Sequence, residues 1–206
     1  MRPTRLSVLF ALALGCCCST PVLALKPSTL AEVNRLPAYC RGTQQITQIT
    51  GASHDAGMKL YGAEYHHLHH YCWALNAENK AMGTLDKTQR GYLLGPAIGD
   101  IDYVIRLSRP QFILLPEIYS GKARILFKLG RAPEAVGSLY KALQIKPDYA
   151  PAALQLSRYF ERQGEHGKAI AILKTTAAHS ETPSAALTKQ LQKLGASTAP
   201  PAGKPH

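Results

Sequence analysis

Residues 116–149, PEIYSGKARILFKLGRAPEAVGSLYKALQIKPDY, fall over residues 150–183, APAALQLSRYFERQGEHGKAIAILKTTAAHSETP, when the chain is set against itself at an offset of 34 residues. Ala123 lies over Ser157, Leu126 over Phe160, Gly130 over Gly164, Ala135 over Ala169, Val136 over Ile170 and Leu139 over Leu173. A fixed period of this length marks an array of supersecondary units rather than one irregular domain.

Each copy reads as two helices. In the first, Leu126 lies on a helical face flanked by Ile125, Phe127 and Leu129, and Gly130 follows as a left-handed carboxyl-terminal cap. Pro133 suits the first turn of a second helix, whose Val136, Leu139, Tyr140 and Leu143 recur at helical spacing. Ala123, Ala135 and Ala142, with Ser157 and Ala169 in the second copy, are small where two antiparallel helices would otherwise collide. Pro147 closes the first unit; the second has Glu181 there and Pro183 slightly later. This pattern resembles the tetratricopeptide repeat, a helix-turn-helix unit. The resemblance implies an all-α fold, a short right-handed superhelix.

About three such units are normally needed, because one hairpin cannot bury its own faces. Upstream, Ala97, Ile101 and Val104 repeat the spacing of Ala135, Leu139 and Ala142, and Pro110 closes the segment. Residues 61–115 are therefore expected to form a degenerate unit, its helices separated by a long connection around residues 83–90. Residues 116–149 and 150–183 form the two clear repeats. Leu187, Leu191 and Leu194 give residues 184–195 the pattern of a capping helix ended by Gly195, and residues 196–206 are a Pro- and Ala-rich tail with little to bury. Residues 25–60 are expected to be an irregular arm over the first helix.

The amino terminus has the anatomy of a secretory signal peptide over residues 1–24: Arg2 and Arg5, an apolar run over residues 6–18, then Pro21 and Val22-Leu23-Ala24. The run is too short to span a bilayer, which takes about 20 apolar residues. The competing reading is a bacterial lipobox at Ala13-Leu14-Gly15-Cys16, with Cys16 acylated to give a lipid anchor. Either way the protein is expected in the periplasm or associated with the outer membrane. Cleavage after Ala24 leaves Cys40 and Cys72, and an even pair in an oxidising compartment favours a Cys40–Cys72 disulfide over two free thiols.

Residues 63–76, AEYHHLHHYCWALN, hold four histidines and the sole tryptophan. One reading is packing. On a continuous helix Tyr65, Leu68, Cys72 and Leu75 share a face, and His66, His70, Trp73 and Ala77 share another. His66 and His70 then sit beside the aromatic packing, with His67 and His69 more solvated. The alternative is a metal- or haem-handling site, in which His66 and His70, four residues apart, hold a divalent ion with His69 or a carboxylate of the arm. Neither an HExxH metalloprotease pattern nor a CxxCH haem-attachment motif is present. Packing is the favoured reading, with no cofactor.

The chain carries a formal net charge of +11. A basic surface favours anionic partners, and export argues against nucleic acid. The resemblance implies that an extended peptide binds along the first helix of each unit. Mapped onto this sequence, that surface carries Arg124 and Lys128, then Arg158 and Arg162 one period later, with Tyr119, Phe127 and Tyr159 adding area. Arginine grips carboxylates through two parallel donors, so an acidic protein or peptide partner is expected. The opposing reading is a solvated face on which Glu161 and Glu165 neutralise part of the stripe. The lysine and asparagine set by which chaperone-binding members hold a terminal carboxylate is not reproduced; Ser120 and Leu154 stand at key places. No Ser/His/Asp order, phosphate-cradling glycine loop or paired-carboxylate setting is evident, so the expected function is a non-catalytic adaptor or assembly factor of the cell envelope.

Overall fold

The computed structural model describes residues 25–196. The expected signal peptide of residues 1–24, with Cys16, and the expected tail beyond Ala196 lie outside the described residues. Every regular element among the described residues is helical. The arm carries α1 (Leu30–Val33), a 3-10 turn (Ala38–Gly42), α2 (Thr47–Thr50) and α3 (His54–Tyr61), followed by a second 3-10 turn (Ala63–His67). The remainder is α4 (His69–Met82), α5 (Lys87–Leu107), α6 (Leu115–Lys128), α7 (Ala132–Ile145), α8 (Ala150–Arg162), α9 (His166–Ala178) and α10 (Ala185–Lys193).

Helices α4/α5, α6/α7 and α8/α9 pack as successive hairpins, and α10 lies against α8 and α9. This is the helix-turn-helix solenoid with capping helices that the repeat implies. The seams use the small residues expected of them: Ala123, Ala135, Ala142, Ser157 and Ala169 are all fully buried. Ala97, Ile101 and Val104 are fully buried at the corresponding places of α5. One continuous core runs from the arm through α9, and a smaller cluster around Leu173, Leu187 and Leu191 seats the cap.

The turns repeat as faithfully as the helices. Gly130, Gly164 and Gly195 adopt φ of 75°, 75° and 72°, the left-handed region that a Cβ disfavours. At each, the residue after glycine returns an N–H to a carbonyl five residues back: Arg131 to Leu126, Glu165 to Phe160 and Ala196 to Leu191, all at 2.9 Å. That bond satisfies a carbonyl the helix end would otherwise leave bare. The α4–α5 connection is shorter than the sequence pattern suggests, spanning only residues 83–86. The Asp86 carboxylate accepts from the Gln89 N–H at 2.7 Å and starts α5 early, and the helix then continues through Pro96.

The arm is more regular than its composition suggests. Thr29 and Ser53 cap α1 and α3 through side-chain oxygens that accept from Glu32 and Ala56. Helices this short do not persist alone. They are held by Val33, Cys40 and Ile46, which enter the core, by the Asn76 amide donating to the Leu25 carbonyl at 3.0 Å, and by a Lys80–Glu32 ion pair. The Cys40–Cys72 disulfide is formed, tying the arm to the middle of α4.

The close approach of α4 to α6 depends on Gly121. A Cβ there would intrude on the phenol ring of Tyr71, which is fully buried. Gly137, on the outer side of α7, meets nothing. Helix propensity alone favours alanine at both places by about 1 kcal/mol. Gly121→Ala is nonetheless expected to destabilise by about 1–3 kcal/mol through overpacking, and Gly137→Ala to stabilise by roughly 0.5–1 kcal/mol; urea unfolding of the two variants measures this contrast.

Removing the disulfide as Cys40→Ala/Cys72→Ala is expected to cost about 2–4 kcal/mol, because the cross-link no longer restricts the unfolded chain. Limited proteolysis should then cut within residues 25–60 before it cuts α6 to α9. Equal protection of the arm in the variant would show that its apolar contacts suffice.

Candidate functional site

Helices α6 and α8 are the first helices of adjacent hairpins, and they bring the expected basic residues onto neighbouring surfaces. The two pairs are not equivalent. Arg124 and Lys128 sit one turn apart on α6, and Glu78 of α4 reaches between them. The guanidinium holds the carboxylate with both arms, Nε to Oε1 at 3.2 Å and Nη2 to Oε2 at 2.9 Å, and the Lys128 ammonium donates to Oε1 as well. Glu78 is 5% exposed. Burial pushes its pKa up, but the hydrogen bonds and charges of Arg124 and Lys128 together outweigh that and hold it below the ordinary carboxylate range. The first rung of the basic stripe is therefore filled by a carboxylate of the chain itself. Removing Arg124 would leave the buried carboxylate with Lys128 alone, and removing Glu78 would leave two cations side by side.

Arg158 and Arg162 are exposed, and no carboxylate among the described residues pairs with them. The two nearby acids are engaged elsewhere. Glu161 accepts from Lys193 at 2.6 Å and from Gln190 at 2.9 Å, both on α10, and Glu165 pairs with Lys168. Local i,i+4 pairing does not neutralise the second rung, because α10 claims the intervening carboxylate.

The aromatic residues divide in the same way. Phe127 and Tyr159 stack across the α6–α8 seam with centroids 5.5 Å apart and planes at 29°. Tyr119 stands apart, half-buried. Burial and then the charge of Asp102 on α5 raise the pKa of its phenol, and no ring contact joins it to Phe127 or Tyr159 among the described residues. Ser120 is buried, and its hydroxyl accepts from the Gln155 amide at 2.5 Å, which ties α6 to α8.

The histidine stretch does not follow one continuous helix. Residues Ala63–His67 form a 3-10 turn and α4 begins only at His69, so the tighter winding alters which side chains share a face. His69 is consequently buried at 7% exposure, with its ring 4.8 Å from Trp73, and His66 is exposed. This corrects the expectation that His69 is among the more solvated. The His69 Nδ1–H donates to the His66 carbonyl at 3.0 Å and the His70 Nδ1–H to Asp100 Oδ1 at 2.7 Å, and the Tyr103 hydroxyl and His67 Nδ1 share a hydrogen bond at 3.2 Å. Among the described residues no group of three His, Cys, Asp or Glu side chains is placed to hold a metal ion. The imidazoles join a ladder with Trp73 and Tyr103 between α4 and α5.

Three side-chain anchors that hold the surrounding elements have no signal in the sequence. Glu78 looks like an ordinary helix-surface acid. Glu64 is 5% exposed and held by Arg109 at 2.5 Å, a hydrogen bond that brings its pKa to about 2. The Tyr39 hydroxyl donates to Glu117 Oε1 at 2.5 Å, joining the arm to α6, while the Tyr71 hydroxyl donates to the Glu117 carbonyl at 3.2 Å.

The tetratricopeptide repeat family model matches residues 126–191, so part of the chain is a tetratricopeptide-repeat domain. No curated protein and no solved structure matches the chain. All-helical repeat proteins of this family are typically non-catalytic scaffolds. No helix among the described residues is long and apolar enough to cross a membrane.

Burial first, and then the neighbouring His70, lowers the pKa of His69 from 6.5 to about 4. Between those values the unfolded chain holds a proton that the folded His69 refuses, so stability rises with pH across that window and is complete above it. His69→Gln is expected to flatten this part of the stability–pH curve, as read from urea midpoints taken across the window.

Proposed function

We propose that the protein is an adaptor or assembly factor of a bacterial cell envelope that holds an extended acidic segment of a partner along α6 and α8. The observation that carries this reading is the second rung. Arg158 and Arg162 are exposed cations one turn apart, paired with no carboxylate among the described residues, beside the stacked Phe127–Tyr159 pair. A guanidinium offers bidentate donors to a carboxylate, and the rings supply flat apolar area for the peptide between its acids. Arg124 and Lys128 have a different part: they clamp α4 to α6 through Glu78 and keep the surface in shape.

Export is part of the same proposal. The charged, then apolar, then small-residue pattern of residues 1–24 supports it, as does the Cys40–Cys72 bond, since disulfides persist in oxidising compartments. Whether the leader is removed after Ala24 or Cys16 carries a lipid, the repeats would face the periplasmic side.

Fluorescence anisotropy with a labelled extended peptide rich in glutamate, compared with its lysine counterpart, tests the groove. The acidic peptide should bind more tightly, lose affinity as salt rises, and weaken about 10-fold or more with Arg158→Glu/Arg162→Glu. Arg124→Ala should instead lower the unfolding midpoint. Equal affinity of the double reversal and the native protein for the acidic peptide would remove the groove from consideration.

A further inference from the structure

One end of the first hairpin carries apolar side chains that the fold leaves in water. Met82, at the end of α4, is 72% exposed, Leu85, in the connection, 96%, and Tyr92, on α5, 76%. Single exposed apolar residues are ordinary on a protein surface, but three within residues 82–92 at one hairpin end gather into a patch. Met82 and Arg90 line one recess with Ala81 and Lys128, so the start of α5 lies beside the end of α4. The connection holds Leu85 outward. The Arg90 guanidinium donates to the Thr84 carbonyl at 2.9 Å, the Asp86 N–H to the Thr84 hydroxyl at 3.3 Å, and that hydroxyl to the Gln89 side-chain carbonyl at 2.7 Å. Leu85 thus stands between a threonine tied on three sides and the aspartate that caps α5.

The charge around the patch is one-sided. Lys87 and Arg90 pair with no carboxylate among the described residues. Asp86, the one acid of residues 80–92, is engaged by the Gln89 N–H, and Lys80 and Lys128 stand close by, held by Glu32 and Glu78.

We infer that this hairpin end rests in the surface of an anionic lipid bilayer. Met82 and Leu85 enter the acyl boundary, Tyr92 lies at the level of the headgroups, and Lys87 and Arg90 meet lipid phosphates. Lipid suits this surface better than a protein face does, because a bilayer closes around a side chain that projects from a turn, whereas a protein must present a matching pocket. The position of the chain start agrees. The Leu25 carbonyl accepts from the Asn76 amide, about 9 Å along α4 from Met82. A lipid on Cys16 would be joined to that point by nine residues, a reach of roughly 30 Å, so anchor and hairpin end can share one membrane. One acyl chain holds a protein only marginally, and the hairpin end supplies a second contact. The contact itself requires neither the acyl chain nor Arg158 and Arg162, so it stands or falls without the groove.

Protein lacking residues 1–24 keeps the whole described fold and carries no acyl chain. It is floated with vesicles of phosphatidylcholine alone and of equal parts phosphatidylcholine and phosphatidylglycerol. The anionic vesicles should half-saturate it at about 0.1–1 mM lipid and release it as salt rises, and the neutral ones should bind it about 5-fold more weakly or worse. Met82→Ser/Leu85→Ser should weaken binding about 10-fold and Lys87→Gln about 5-fold. Leu60→Ser/Ile113→Ser, at positions equally exposed elsewhere, should leave it unchanged. All of these side chains are exposed, so the unfolding midpoints should stay together. An environment-sensitive dye on Leu85→Cys should shift to the blue when vesicles are added, and the same dye on Ile113→Cys should not. The Arg158→Glu/Arg162→Glu protein should float like the native one. No flotation with anionic vesicles by about 5 mM lipid, equal binding by Met82→Ser/Leu85→Ser, or a dye on Leu85→Cys that stays in water would overturn the inference. So would loss of flotation in the arginine double reversal, which would move the contact to the groove. Self-association that is lost in Met82→Ser/Leu85→Ser, without flotation, would overturn it by assigning the patch to a second copy of the chain.

Discussion

A helical hairpin has more apolar face than its two helices can cover for each other, and the architecture follows from that excess. Ala123, Ala135 and Ala142, with Ser157 and Ala169, let the helices of one hairpin approach closely enough for Leu126, Leu139, Leu156 and Leu173 to be fully buried. What remains uncovered must meet a neighbour. Along the middle of the chain the neighbour is the next hairpin. At the carboxyl end it is α10, whose Leu187 and Leu191 enter the core while Ser184 caps its start. At the amino end it is the arm, which has too few residues in any one helix to stand alone and is therefore fastened to α4 by Cys40–Cys72 and to α6 by Tyr39 and Glu117.

The same stacking sets the electrostatics of the surface. A strict repeat would place equal cations on α6 and α8, but the helices preceding them differ. Ahead of α6 stands α4, which supplies Glu78 at the depth where Arg124 and Lys128 can both reach it. On α8, Glu161 turns toward α10 and is held by Lys193 and Gln190. One pair of cations is thereby spent on cohesion, while Arg158 and Arg162 pair with no carboxylate among the described residues. The asymmetry comes from the ends of the array, where the repeat is broken and its neighbours are unlike one another.

The histidine-rich segment illustrates how a local feature acquires its role from its surroundings. Its residue types suit a metal as well as a packed helix, and periodicity alone does not separate the two. Among the described residues, the change from a 3-10 turn to α-helix at His69 places His69 against Trp73, His70 against Asp100 and His67 against Tyr103. The consequence is a ladder of rings that joins α4 to α5.

The amino-acid sequence by itself determined the repeat: the spacing of Gly130 and Gly164, the small residues at the seams and the leucines at helical intervals are short-range patterns, and each acts within a single turn or hairpin. It also made the Cys40–Cys72 pairing the expected one, as the only two cysteines among residues 25–206. The tertiary structure alone decided which charges are free. Glu78 meets Arg124 across 46 residues of chain, Tyr39 meets Glu117 across 78, and Glu64 meets Arg109 across 45. Such partners are chosen by how the helices stack and where the arm crosses them. No local pattern encodes that, because an exposed and a buried carboxylate occupy a helix in the same way until a neighbour closes over one of them.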